Sequence, residues 1–234
     1  MRLAAFLWLF LLPAYSFAMG WVGQDLYGVP CQGKGQGFGP YDYNDPQLQK
    51  RIPGSPLYLV EIAHFTPHVQ ELAKGLGSHH STNANNLDYT LRAFPNHHKA
   101  LWVMIRFYLN EGRPRFPQSV IPPAECYLQR AIKFRPKDAV LYMLYGIYLH
   151  LAGMPEKATS YYEKSLSLDS NLAEAHYNYG LLLVDEKKYK EALKQAKQAY
   201  ELGYPLPGLR ERLKEAGYSL DSKTAKMDEK SADK

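Results

Sequence analysis

"AVLYMLYGIYLHLAGMPEKATSYYEKSLSLDSNL" (139–172) is followed without a gap by "AEAHYNYGLLLVDEKKYKEALKQAKQAYELGYPL" (173–206), and these two stretches decide the fold. Each is 34 residues long. Superimposed, Tyr145-Gly146 falls on Tyr179-Gly180, Leu149 on Leu183 and Ala158 on Ala192. Within each stretch, apolar residues recur every three to four positions in two runs separated by a short break, the pattern of two amphipathic helices joined by a turn. The small Gly and Ala positions let the two helices approach, and the aromatic and leucine positions fill the space around them.

The spacing Tyr142-x2-Tyr145-Gly146-x2-Leu149…Ala158-x3-Tyr162 resembles the tetratricopeptide repeat, whose pattern is W-x2-L-G-x2-Y…A-x3-F…P. The next unit gives His176-x2-Tyr179-Gly180-x2-Leu183…Ala192-x3-Ala196. One unit upstream (99–138), Trp102-x2-Ile105-Arg106-x2-Leu109 and Ala124-x3-Leu128…Pro136 keep the pattern. There Arg106 replaces the usual Gly, which predicts wider helix spacing, and the proline-rich "GRPRFPQSVIPP" predicts a bulging turn. Further upstream, "LDYTLRAFPNH" reads as the second helix of an eroded unit (66–98), with Pro67–Lys74 as its short first helix. Residues 207–218, with Leu209, Leu213 and Ala216 on one face, read as a capping helix. The predicted fold is therefore all-α, a tetratricopeptide helix–turn–helix array of three units (99–206) plus a degenerate N-terminal one.

Outside the repeats, "MRLAAFLWLFLLPAYSFAMG" has Arg2, an uncharged apolar stretch and small residues Ser16 and Ala18, the layout of a signal peptide over 1–18. Its apolar core is short of the about 20 residues of a spanning helix, so no membrane insertion is expected after cleavage. Residues 19–65, rich in Gly, Pro and Tyr, read as an irregular arm, within which "LYLVEIAHF" (57–65) reads either as a short strand or as the lead-in to a helix, and the charged 219–234 as a disordered tail. A "GPYDY"-like arm and an "LDYTLRAFPNH"-like segment ahead of the repeats also resemble a group of small exported tetratricopeptide proteins of Gram-negative bacteria, which implies a periplasmic location. Formal net charge is +5, but positive and negative residues are interspersed, which argues against nucleic acid.

Chemical motifs are few. "GVPCQGKG" (28–35) approaches a phosphate-binding loop, but Gly35 stands where the Mg²⁺-binding Ser or Thr belongs and no helix is expected after it. His64, His68, His79, His80, His97 and His98 cluster in sequence and read as surface loop residues; the alternative is a metal-handling envelope protein using them. No nucleophile elbow or zinc-protease helix motif is present, so no catalytic residues, cofactor or enzyme activity are assigned. Cys31 and Cys126 make an even pair in an exported chain and are expected to form a disulfide, the alternative being two free thiols.

The expected function is binding of a protein or peptide partner by an apolar and aromatic concave groove, in cell-envelope assembly. The family resemblance implies that exposed first-helix positions line this groove: Val103, Phe107, Met143, Ile147, Tyr177, Asn178 and Leu181, with Asn110 and His150 at the edges. The Lys and Asn pairs that clamp a peptide carboxylate in chaperone-binding members are missing there. The aromatic arm, with Phe38, Tyr41 and Tyr43, is expected to lie on the array, either in the groove as a built-in ligand or along the outer edge of the eroded unit.

Overall fold

The computed structural model describes residues 20–75, 80–112 and 121–220. The expected signal peptide, the tip of the 112–123 turn and the expected tail beyond 220 lie outside the described residues. Within the described residues ten α-helices follow in order: α1 (Pro56–His64), α2 (Pro67–Gln70), α3 (His80–Ala93), α4 (His98–Asn110), α5 (Ala124–Phe134), α6 (Ala139–Leu151), α7 (Pro155–Leu168), α8 (Ala173–Asp185), α9 (Tyr189–Glu201) and α10 (Gly208–Glu215). Among the described residues there is no strand, only an isolated bridge between Gln24 and Pro30. Short 3-10 turns precede α1 (Leu48–Lys50) and extend α2 (Glu71–Lys74).

Local chemistry sets the helix ends. The Ser55 hydroxyl accepts the Tyr58 N–H ahead of α1, where Pro56 occupies the first helical position. Asp138 caps α6 by accepting the Val140 N–H. The turn after α6 uses Gly153 at φ +78°, and one repeat later Lys187 takes the same left-handed conformation at φ +61° without glycine's freedom.

The helices form two layers. α4, α6, α8 and α10 lie side by side in one, with the 3-10 turn that extends α2 beside α4; in the other, α3, α5, α7 and α9 each bridge two successive members of that row, and α1 lies beside α3. α6 packs closely on α7 and α8 on α9. A Cβ added at Gly146 would lie 2.9 Å from the ring of Tyr162, so the glycine is what permits the α6–α7 approach. α4 and α5 pack more sparsely, and Arg106, at the position Gly takes elsewhere, lays its guanidinium over the Trp102 ring. The main core runs from Phe65, Val69 and Leu72 through α3, α4 and α5 to Tyr162, Ala175 and Leu182; a second core joins α8, α9 and α10.

In the N-terminal region one expectation changes and one open alternative is decided. Residues 56–64 are helix α1 and not irregular arm, because Ser55 and Pro56 start a helix whose Leu57 and Val60 bury beside Phe94. The arm does not enter a groove between first helices. It crosses the outer layer from α5 to α3, as the outer-edge alternative has it. Gln24 and Gln129 exchange hydrogen bonds, Leu26 N–H donates to Glu125, and Cys31 is bonded to Cys126. Further along, Gln36 donates to the Arg92 carbonyl and Tyr41 N–H to that of Ala93. Tyr41 then packs on Phe94, and Tyr43 stacks on His97 at 4.2 Å. At Gly39 glycine serves contact: with φ +92°, a Cβ there would lie 2.5 Å from the Ala93 carbonyl oxygen.

Candidate functional site: the inner face of the array

The first helices read, in part, "AVLYMLYGIYLHL" (α6) and "AEAHYNYGLLLVD" (α8). On a helix, positions three and four apart share a face. In α8 the stripe Glu174, Asn178, Leu181, Asp185 is accessible, while Ala175, Leu182 and Gly180 turn into the protein.

Five of the residues expected to be exposed are buried: Val103, Phe107, Met143, Ile147 and Tyr177. The first four belong to the main core, and Tyr177 packs on Tyr204 at 4.4 Å between ring centroids. These side chains are large and apolar, and neighbouring first helices lie close enough for them to interdigitate instead of lining an open channel. Asn178 and Leu181 are half-buried and do reach the inner face. Asn110 is exposed at the end of α4, where it donates to the Ala73 carbonyl.

What the inner face presents instead is a chain of charged contacts across three first helices. His150 Nε2 (α6) lies 2.8 Å from Asp185 Oδ2 (α8), and the other oxygen of that carboxylate accepts from Arg212 (α10). Burial pushes the Asp185 carboxyl up, but the hydrogen bonds from Arg212 and His150 outweigh it and hold its pKa below the usual value. Leu151, next to His150, is 48% exposed. At the opposite rim, surrounding protein raises the pKa of Glu174, partly offset by the nearby His98. His98 itself is 2.7 Å from Asp138. The repeat period points to the residues that motif reading missed: Asp185 stands one 34-residue step after Leu151, and Arg212 one step after Asn178. Treating α10 only as a cap hid its role as a further first helix.

Among the described residues, the histidines of this region are not gathered into a ligand set. His97, expected on the surface, is wholly buried; its Nδ1 accepts the Ala100 N–H to cap α4, which leaves the proton on Nε2, 3.3 Å from Glu61 but out of line for a hydrogen bond. His64 pairs with Asn86 and stacks on Tyr89, and His68 sits 3.5 Å from Glu71. His79 and the side chain of His80 lie outside the described residues. Among the described residues no group of three or more His, Cys, Asp or Glu side chains is arranged to hold a metal ion.

A search of family models finds no match. Among solved structures, TTC0263, a thermophilic TPR protein of Thermus thermophilus, superimposes at a TM-score of 0.50 with 21% identity, covering 73% of this chain and 85% of that one. The fold is a tetratricopeptide array. MamA also aligns, at a TM-score of 0.41 and 21% identity over 75% of this chain and 99% of its own. Among curated proteins, the human Protein O-mannosyl-transferase TMTC3 is 32% identical over 108 residues, 46% of this chain. The chain spans 11% of the length of that relative.

Proposed function

We propose that this protein is an exported, periplasmic binding scaffold rather than an enzyme, and that it holds a protein or peptide partner of cell-envelope assembly on the inner face of α6, α8 and α10. The observation that supports this most directly is the exposed Leu151 beside the His150–Asp185–Arg212 chain, on the first-helix face of an array in which Val103, Phe107, Met143 and Ile147 are packed away. An aliphatic contact flanked by hydrogen-bonding groups suits a short peptide segment: the leucine contributes burial and the polar groups fix register. Asn178 and Leu181 extend the same stripe. The layout of residues 1–18 supports export.

Photo-crosslinkers placed at Leu151 and Leu181 test the face, with Lys194 on the exposed side of α9 as control. In envelope extracts a discrete adduct is expected from the two inner positions and none from Lys194. Equal labelling at all three sites, or none, counts against the inner face. Mature protein beginning near Met19 in the periplasmic fraction tests the location separately.

A further inference from the structure

His97 lies at a seam between two apolar clusters. Phe65, at the end of α1, meets its ring edge-on at 4.8 Å and belongs to the main core. Tyr43 of the arm stacks on the same ring at 4.2 Å and belongs to a separate small cluster. That cluster joins Tyr43 to Leu57 and Val60 of α1 and to Ala93 and Phe94 at the end of α3, with Tyr41 and Leu48 of the arm packed against it. A small cluster outside the main core is a unit that can open by itself.

The ring is wholly buried, and its hydrogen bonding fixes where a further proton must go. Nδ1 accepts the Ala100 N–H at 3.2 Å, so the proton of the neutral ring is on Nε2, 3.3 Å from Glu61. A second proton has to bind Nδ1, where it faces a donor and finds no acceptor. Protonation therefore removes the cap of α4 and sets a charge in a buried site. The groups around the ring do not offset this. Glu61 of α1 attracts the charge, but it lies on the Nε2 side and both its oxygens already accept from Arg51. From the arm, Tyr43 presents a ring face, and the Asp42 carboxylate is bonded to Asn96 and Arg135. His98, next on α4, is turned to Asp138 and adds positive charge of its own when protonated. Burial disfavours the charged ring more than Glu61 favours it.

We propose that His97 is a proton-operated latch: proton uptake on Nδ1 opens the small cluster and lifts arm residues 41–50 off the turn between α3 and α4, while the repeats α6–α9 stay folded. The Cys31–Cys126 bond keeps the earlier part of the arm on α5. Opening breaks the bonds from the Tyr41 N–H to Ala93 and from the Tyr43 N–H to Asn96. It takes up one proton, and the freed imidazole returns to an ordinary pKa of about 6.5. The closed state's advantage is thus complete above that value, and the opening constant rises by up to about tenfold for each pH unit below it.

Amide hydrogen exchange with the disulfide intact, corrected for intrinsic rates, tests this between about pH 7.5 and about pH 5.5. The Tyr41 and Tyr43 amides are expected to exchange faster than those of Leu182 in α8 and Ala196 in α9, through an opening with weak urea dependence. Their opening constant is expected to rise by close to tenfold over the unit below about pH 6.5. In His97→Gln, whose side-chain oxygen can still accept the Ala100 N–H, that pH dependence is expected to vanish; in His98→Gln it is expected to remain. Tyr41 and Tyr43 amides that exchange only as slowly as Leu182 and Ala196, with the same urea dependence, mean a single global opening and overturn the proposal. Exchange that does not change with pH, or a pH dependence that persists in His97→Gln, overturns it as well. The wild-type imidazole 15N shifts give a reading that needs no variant: His97 is expected to stay neutral, protonated on Nε2, in closed molecules, and a charged His97 beneath a protected Tyr43 amide refutes the latch.

Discussion

Asn96→Ala is the sharpest probe of how the arm is held. Asn96 is wholly buried in the turn between α3 and α4. Its side-chain oxygen accepts the Tyr43 N–H at 2.9 Å, and its amide nitrogen donates to Asp42 at 2.7 Å. The substitution removes a hydrogen bond to a charged group, worth about 1.5–3 kcal/mol, and strands the buried Tyr43 N–H at a cost of about 1–3 kcal/mol. A loss of about 3–4 kcal/mol is expected, the lower part of the combined range because water can follow the shortened side chain. For a chain of this size that corresponds to roughly 10 °C in melting temperature. Asp42 should also become harder to ionise. Burial pushes its carboxyl up, but hydrogen bonds from Asn96, Asn44 and Arg135 hold it below the usual value, and the variant loses the strongest of them. The measurement is equilibrium urea unfolding without reductant, comparing midpoint and slope with Asn44→Ala, whose side chain bonds Asp138 at the surface. A loss below about 1 kcal/mol for Asn96→Ala, no greater than for Asn44→Ala, would show that the arm's polar contacts do not hold it.

Acid should destabilise the protein in two steps. His97 has a folded pKa lowered by burial against the pull of Glu61, so its contribution is present above about 6.5 and is lost as pH falls below that value. Glu61 is lowered to about 2, burial being outweighed by His97 and Arg51, so its contribution is present above the ordinary carboxylate range and is lost as pH falls through it toward 2. Thermal melts at stepped pH read both, and His97→Gln should flatten the upper step; a flat profile from pH 7 to 5 in the wild type contradicts it. Gly146→Ala should cost about 1–2 kcal/mol, because the added Cβ meets the face of a fully buried tyrosine ring. Gly180→Ala should be close to neutral by the same denaturant assay, because its Cβ meets a leucine methyl that can rotate away, and alanine gains helix propensity. Lys187→Gly should raise stability by up to about 1 kcal/mol by relieving the left-handed conformation, and an unchanged midpoint would mean the turn bears no strain. Replacing both Cys31 and Cys126 by Ser opens a loop with a sequence separation of 95, for which chain entropy gives a loss of about 4–5 kcal/mol; a loss under 1 kcal/mol would mean that the arm's other contacts already close it.

The repeats were readable because their chemistry is periodic and local. Tyr145-Gly146 and Tyr179-Gly180 recur one unit apart because each unit solves the same packing problem. The inner face was less readable. The family pattern says which positions face inward, but whether Met143 and Ile147 line a channel or fill it depends on how closely α4, α6 and α8 approach, and no short segment encodes that spacing. His97 was misread for a related reason. A His-His pair after a proline turn looks like solvent-facing loop, and the partners that bury it, Tyr43 and Glu61, lie far away in sequence. Glycine misled as well: Gly23 and Gly39 mark close approach to α5 and α3, while Gly20, Gly35 and Gly54 have open space around them, and composition does not tell the two apart.

The arm and the outer helices α3 and α5 form one structural unit. Asp88, Asn96, Glu125 and Arg130 are each almost completely buried, an unusual load of polar groups for a helical repeat. Burying such groups is costly unless they are hydrogen-bonded, and much of what bonds them comes from elsewhere in the chain. Arg130 lies over Trp21 and donates to Gln36; Glu125 accepts from Leu26 and from Tyr148; Asn96 joins Asp42 to Tyr43. Asp88 accepts from Tyr127 and Arg92, and Lys34 of the arm lies 3.9 Å away. An array with these outer-layer residues but no arm would expose or strand several charges, and an arm without the array would have little to pack on. "GPYDY" and "LDYTLRAFPNH" are therefore two sides of one contact, which gives a physical reason for the segments to occur together. The repeats α6–α9 bury Ser165 and His176 but no carboxylate or guanidinium, and they follow the pattern closely, while the segment that departs from it, from α1 to α5, is the one that the arm completes.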